Sequence, residues 1–195
     1  MAKEIVLIGR SNVGKSTLFK ELTGKKVRIG RRPGITREPV KVKFGNVLLV
    51  DMPGFGFMKN LSKDAQERSK QFIIGYFEEN KDDILLVVQV IDIASFLDIV
   101  QRWESRGEMP AEIELYEFLN DLGLDVVLAA NKMDRIANPE ETLDHVVEKL
   151  GMLPPWRQWL DRVAPISAKK GEIEPLRDIL RKRLQLIGNS NLLQM

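Results

Sequence analysis

The stretch GRSNVGKST, Gly9-Arg10-Ser11-Asn12-Val13-Gly14-Lys15-Ser16-Thr17, joins an apolar run, Ile5–Ile8, to an amphipathic run, Ser16–Leu22. A tight turn needs one glycine at most. The spacing Gly9-x4-Gly14-Lys15-Ser16, after a strand and opening a helix, is that of a phosphate-binding loop. Backbone N–H groups of residues 12 to 17 can wrap an anion, aided by the positive end of the helix. Gly14 lets the backbone approach, Lys15 carries a point charge to the β- and γ-phosphates, and the Ser16 hydroxyl suits Mg²⁺. A plain glycine turn with an exposed lysine would explain neither the spacing nor the strand–loop–helix context.

Outward from this loop the chain alternates short apolar runs with longer amphipathic ones. Val40–Phe44 and Val47–Val50 flank Gly45-Asn46, a two-residue hairpin signal. Within them VKVKF alternates as an edge strand with one wet face. Ile84–Ile91, Val126–Ala130 and Val163–Ile166 read as buried strands. Ala65–Glu79, Ile113–Leu122, Glu140–Leu150 and Ile173–Ile187 read as helices. The pattern predicts an α/β fold, a mainly parallel sheet with one antiparallel edge strand and helices on both faces. Ligands of such sheets sit beyond the carboxyl ends of the strands.

Unusual residues do fall there. Asp51-Met52-Pro53-Gly54 closes the third strand; Asp51 can hold Mg²⁺ through water, and the Gly54 N–H can meet a γ-phosphate. Gly34-Ile35-Thr36 precedes the second strand, where Thr36 offers a second hydroxyl to Mg²⁺. Asn131-Lys132-Met133-Asp134 follows the fifth strand. Guanine presents N1–H and a 2-amino group side by side, and one carboxylate, Asp134, can accept both. Adenine lacks that pair and would leave the carboxylate unpaired. Asn131 can bond the purine O6/N7 edge or tie the loop together, and the Lys132 stem can cover the ring. In Ser167-Ala168-Lys169, after the last strand, the Ala168 N–H is placed to bind O6.

The chain has 195 residues, no cysteine, and a formal charge of +2. That size suits one domain, and disulfides and cysteine metal sites are excluded. IVLI is too short for a signal peptide and ILLVV too short for a membrane span, so a cytoplasmic protein without membrane anchor, and a monomer, is expected. Residues 188–195 are polar and patternless, a flexible tail after a domain spanning 1–187. His145 is expected to be structural, and Trp103, Trp156 and Trp159 to be core or surface anchors.

On GRSNVGKS, RPGITR, DMPGFGF and the short C-terminal region without an RNA-binding domain, the chain resembles the EngB (YihA) family of translation-factor-related GTPases, over about Lys3 to Leu186. The resemblance implies a Ras-like six-stranded fold, guanine nucleotide (GTP/GDP) binding and slow Mg²⁺-dependent hydrolysis. It also implies a switch role in maturation of the large ribosomal subunit, with ribosomal RNA as partner; the family is linked with cell division and septation as well. NKMD stands where many bacterial members have Thr-Lys-x-Asp, and Asp92–Gly123 is longer than in the simplest Ras-like pattern.

After Gly54 comes Phe55, where a glutamine would orient the attacking water. Intrinsic turnover should therefore be weak, with acceleration supplied from elsewhere. Asn12 points to one source. Relatives with this asparagine resemble potassium-activated GTPases, in which K⁺ beside the phosphates offsets developing charge; the alternative is a loop-stabilising amide. Residues 28–38 and 55–64 are expected to respond to the γ-phosphate. From Lys25 to Lys43 there are eight basic residues against Glu38, leaving the rest of the chain net acidic. Such a run beside the switch fits RNA phosphates better than a merely solvated face. A P-loop small-molecule kinase or ATPase is the alternative function, opposed by Asp134. A septum-associated membrane module lacks any anchor.

Overall fold

The computed structural model describes residues 3–24, 38–55 and 63–186. Their order is β1 (Glu4–Gly9), α1 (Lys15–Thr23), β2 (Val40–Phe44), β3 (Val47–Asp51), α2 (Lys63–Asn80), β4 (Ile84–Asp92), α3 (Ile93–Glu104), α4 (Ala111–Asp121), β5 (Val126–Asn131), α5 (Pro139–Lys149), β6 (Val163–Pro165) and α6 (Glu174–Leu186). The strands form one sheet in the order β2-β3-β1-β4-β5-β6. Every pairing is parallel except β2 with β3, which run antiparallel through the expected hairpin, Phe44 opposite Val47. Gly45 turns it at φ 60°, a conformation glycine adopts without a Cβ clash.

Alternation along the strands splits the core into two layers. Val6, Ile8, Val87 and Ile91 point to one face, with Phe77 of α2, Phe96 of α3, Leu119 of α4 and Val146 of α5. Ile5, Leu7, Val88 and Val90 point to the other, with Phe19 of α1 and Leu180 of α6. The central strands are therefore apolar on both sides, while β2, at the edge, exposes Lys41 and Lys43.

The segment after β4 is a helix, α3, beyond the elements expected from the sequence. Its signal is present: Ile93, Phe96 and Val100 lie buried at helical spacing. His145 lies exposed on α5, within the helical run expected there. Trp156 is buried, its Nε1 donating to Glu140 Oε2 at 2.9 Å, and Trp159 packs against the same core layer. Gly34, Ile35, Thr36, most of the basic run, residues 56–62 and the tail from 187 lie outside the described residues. Among the described residues no helix is long and apolar enough to cross a membrane.

Candidate functional site

The carboxyl ends of β1, β3, β5 and β6 meet at one edge of the sheet, so parallel topology alone gathers four of the motifs. Ile8 pairs beside Gln89, and Asp92 beside Asn131, which aligns the tips of neighbouring strands.

The glycine loop is shaped by two residues with left-handed backbone, Asn12 at φ 72° and Gly14 at φ 96°. Asparagine tolerates that region better than most side chains. Gly14 has no alternative. A Cβ there would sit 2.3 Å from the Asn131 amide nitrogen, and one on Gly9 would sit 2.5 Å from the Val90 carbonyl oxygen. The Val13 side chain is buried in the core, so this residue offers a ligand its backbone alone. Ser16 is partly exposed and Thr17 exposed.

Lys15, at the first turn of α1, is buried and forms an ion pair with Asp51 Oδ1. One side chain comes from the glycine loop and the other from the end of β3, so the pair joins two separately predicted motifs. Met52 is buried, and its N–H donates to Leu7 O at 3.0 Å. Phe55 is also buried, its ring in the α2–α5 core layer. The N–H of Phe55 donates to Gly9 O at 3.3 Å, and its carbonyl accepts from the Ser11 N–H at 3.4 Å. Gly54 lies so close that an added Cβ would come within 2.9 Å of Ser11 Oγ.

At the other end, Asn131 crosses to the glycine loop. Its Nδ2 donates to Val13 O at 2.8 Å, and its Oδ1 accepts from the Ala168 N–H at 2.9 Å. These contacts tie the loops together, one of the two roles open to Asn131, and the Ala168 N–H, expected to meet O6, is directed here at Asn131 Oδ1. Lys132 has left-handed backbone, φ 69°. Its Nζ donates to Asn12 O at 2.9 Å and pairs with Asp92 Oδ2 at 2.5 Å. The Met133 N–H donates to Ile166 O at 3.1 Å, joining β5 to β6 past their ends.

Asp134 is exposed, and Ser167, buried beneath it, orients it. The Ser167 hydroxyl donates to Asp134 Oδ1 at 2.8 Å and accepts the Asp134 N–H at 3.1 Å. That hydrogen bond, helped by the charges of Lys170 and Arg135, holds the Asp134 carboxyl below its ordinary range. The carboxylate stays ionised and presents its remaining lone pairs outward, as two adjacent donors require. Lys169 is exposed beside it.

Two contributors escaped the reading of the sequence. Asp92 closes the apolar run Ile84–Ile91 and so obeys the same strand-end rule as Asp51. It also caps α3, accepting the Ala94 N–H at 3.2 Å. Glu112, on α4, pairs with Arg10 at 3.2 Å; nothing in its local sequence marks it.

A phosphate-shaped loop, a strand-end aspartate and an outward carboxylate, locked together across one edge of a parallel sheet, define a P-loop GTPase. Comparison with known proteins agrees. The family described as "50S ribosome-binding GTPase" matches residues 4–132. "Probable GTP-binding protein EngB" of Methanopyrus kandleri is 51% identical over 189 residues, 92% of this chain and 93% of that protein. A crystal structure of a "probable GTP-binding protein engB" superposes with TM-score 0.86 at 42% identity, covering 94% of this chain and 99% of that one. A more distant structure, Era in complex with MgGDPNP and nucleotides of 16S ribosomal RNA, gives TM-score 0.62 at 25% identity, covering 94% of this chain and 56% of that one. The chain belongs to the EngB family of GTP-binding proteins. It is a GTPase, and the small-molecule kinase reading falls away.

Proposed function

We propose that this GTPase is a molecular switch in assembly of the large ribosomal subunit, its nucleotide lying between Lys15 and Asp134. The observation that carries the nucleotide placement is the Asn131 amide, hydrogen-bonded at one end to Val13 of the phosphate loop and at the other to Ala168. One rigid side chain thereby fixes the spacing between a phosphate site and a base site. In this reading, the N–H groups of residues 12–17 hold the α- and β-phosphates, Asp134 takes guanine N1–H and the 2-amino group, and the Lys132 stem covers the ring.

Among the described residues no three His, Cys, Asp or Glu side chains gather as a metal site. Mg²⁺ keeps several waters and joins one or two protein ligands to the phosphates. Ser16 and, through water, Asp51 would hold it, with Thr36 as the further ligand; bound there, Mg²⁺ withdraws charge from the β- and γ-phosphate oxygens. On nucleotide binding Asp51 would turn from Lys15 to the metal and Lys15 to the phosphates. Water attacks the γ-phosphorus and the bond to the β–γ bridging oxygen breaks, giving GDP and phosphate. Phe55, its ring in the core, gives that water no hydrogen bond, so turnover is slow without help. The Asn12 side chain is exposed on the phosphate loop, where it would be the ligand for K⁺. Hydrolysis in K⁺ should then exceed that in Na⁺ at equal ionic strength; equal rates reject the role.

Support for the ribosome comes from the family's description, from the Era complex with ribosomal RNA, and from the basic run 25–43. Within that run Lys41 and Lys43 are both exposed, and Lys41 is tied to Glu4 and Tyr76. Lys43 and the residues before Glu38 are thus the phosphate contacts to test. Sedimentation through sucrose gradients tests the role: GTP should bring the protein to the large-subunit fraction and GDP release it. Neutralising Arg31 and Arg32 should abolish co-sedimentation. Identical profiles with both nucleotides reject the switch.

A further inference from the structure

The Arg10–Glu112 pair is the feature that nucleotide chemistry leaves unexplained. Arg10 is the first residue after the loop's opening glycine, yet its guanidinium turns away from the loop to Glu112 Oε1 of α4, 3.2 Å distant. Glu112 is a nearly buried carboxylate. It is also fixed in place, because Gln89 Nε2, fully buried in the central strand β4, donates to the Glu112 carbonyl oxygen at 2.7 Å. A chain of contacts thus runs from β4 through the first turn of α4 to the phosphate loop.

Arg10 is partly exposed and Glu112 buried, and such a pair stabilises a fold poorly, because the desolvation of the carboxylate offsets the attraction. Its use is positional. The phosphate loop needs such help, since Asn12 and Gly14 hold unusual backbone angles and the N–H groups must converge before the ligand arrives. On its base side the loop is held by Asn131 at Val13 O and by Lys132 at Asn12 O. On its opposite side Arg10 is the brace, at the residue that also bridges to Phe55.

We infer that Arg10 and Glu112 are positioning residues for nucleotide capture: their ion pair holds the entry to the phosphate loop in its binding geometry and couples that loop to α4. The inference rests on guanine nucleotide binding by this chain. The loop would then be held from both sides by charged or amide groups of other elements, and loosening the Arg10 side would cost affinity without removing a ligand contact.

The test separates position from stability. Arg10→Met, Glu112→Met and the double variant are compared by thermal unfolding and by the binding and release of a fluorescent GDP. Each single variant leaves a charge without its partner, so both Tm and affinity should fall, affinity by about tenfold. The double variant replaces the pair by apolar contact and should recover most of the Tm while affinity stays about tenfold low, through faster release. Full recovery of affinity in the double variant overturns the proposal, as does wild-type affinity in either single variant. Should the double variant not fold, amide exchange of the wild-type protein decides. Residues 10–14 and 111–115 should gain protection together on GDP binding, and unchanged exchange at 111–115 overturns the coupling. A wild-type chain that binds no GDP would defeat the nucleotide reading itself, a result distinct from all of these.

Discussion

The two ends of the site are built differently. At the base end the predicted side chains already have partners: Asn131 the backbone of Val13 and Ala168, Lys132 the Asn12 carbonyl and Asp92, Asp134 the Ser167 hydroxyl. At the phosphate end the central contact is one ion pair, Lys15 with Asp51, and both partners are groups that a magnesium nucleotide would claim. In the proposed reading the base end is preorganised, so recognising guanine would require little rearrangement, and the phosphate end would exchange partners when a nucleotide binds.

Substitutions that act on one end should leave the other alone. The largest such effect is expected from Lys15→Met, which removes the charge meant for the phosphates. Titration should show GTP affinity reduced by at least ~30-fold, while the weak binding of unphosphorylated guanosine stays unchanged. An equal loss for guanosine would erase the distinction between the two ends. Asn131→Ala, by contrast, should damage both. It leaves the Val13 carbonyl and the Ala168 N–H without partners in a buried place, costing about 2–4 kcal/mol in denaturant unfolding, and it weakens GTP and guanosine together.

Gly14→Ala forces a Cβ against the Asn131 amide at a backbone angle alanine resists. Strain of about 1–3 kcal/mol should lower Tm by roughly 2–12 °C. Ser167→Ala is the mildest change. The Asp134 carboxyl, held below the ordinary carboxylate range by the Ser167 hydroxyl, acts as a carboxylate above that range and loses its charge only as pH falls through its lowered value. Without the hydroxyl its pKa rises, so the acid limb of guanine nucleotide binding should move to higher pH. A limb that does not move would mean that Ser167 merely supports the loop.

Much of this was legible in the sequence because strand-end chemistry is local. Gly14, Lys15, Asp51 and Asp134 each stand at a tip that periodicity alone locates, and parallel topology brings the tips together. The helix α3 was legible too, but its start at Ile93 follows the apolar run of β4 without a break, so strand and helix blur into one segment. The destination of Arg10 could not be read. Glu112 is 102 residues away, and nothing in the spacing of either residue announces the other. The direction of the Ala168 N–H was likewise beyond reach. It depends on which amide end Asn131 presents, a choice fixed when the two loops meet.

The most direct test of the central claim, that a single cleft binds guanine at one end and triphosphate at the other, is a nucleotide titration of wild type and Asp134→Asn against GTP, XTP and ATP. Wild type should prefer GTP over both by at least ~100-fold, and Asp134→Asn, whose amide can donate where xanthine offers an oxygen, should prefer XTP. A wild-type chain that binds ATP as tightly as GTP, or a variant whose preference for GTP is undiminished, would contradict it.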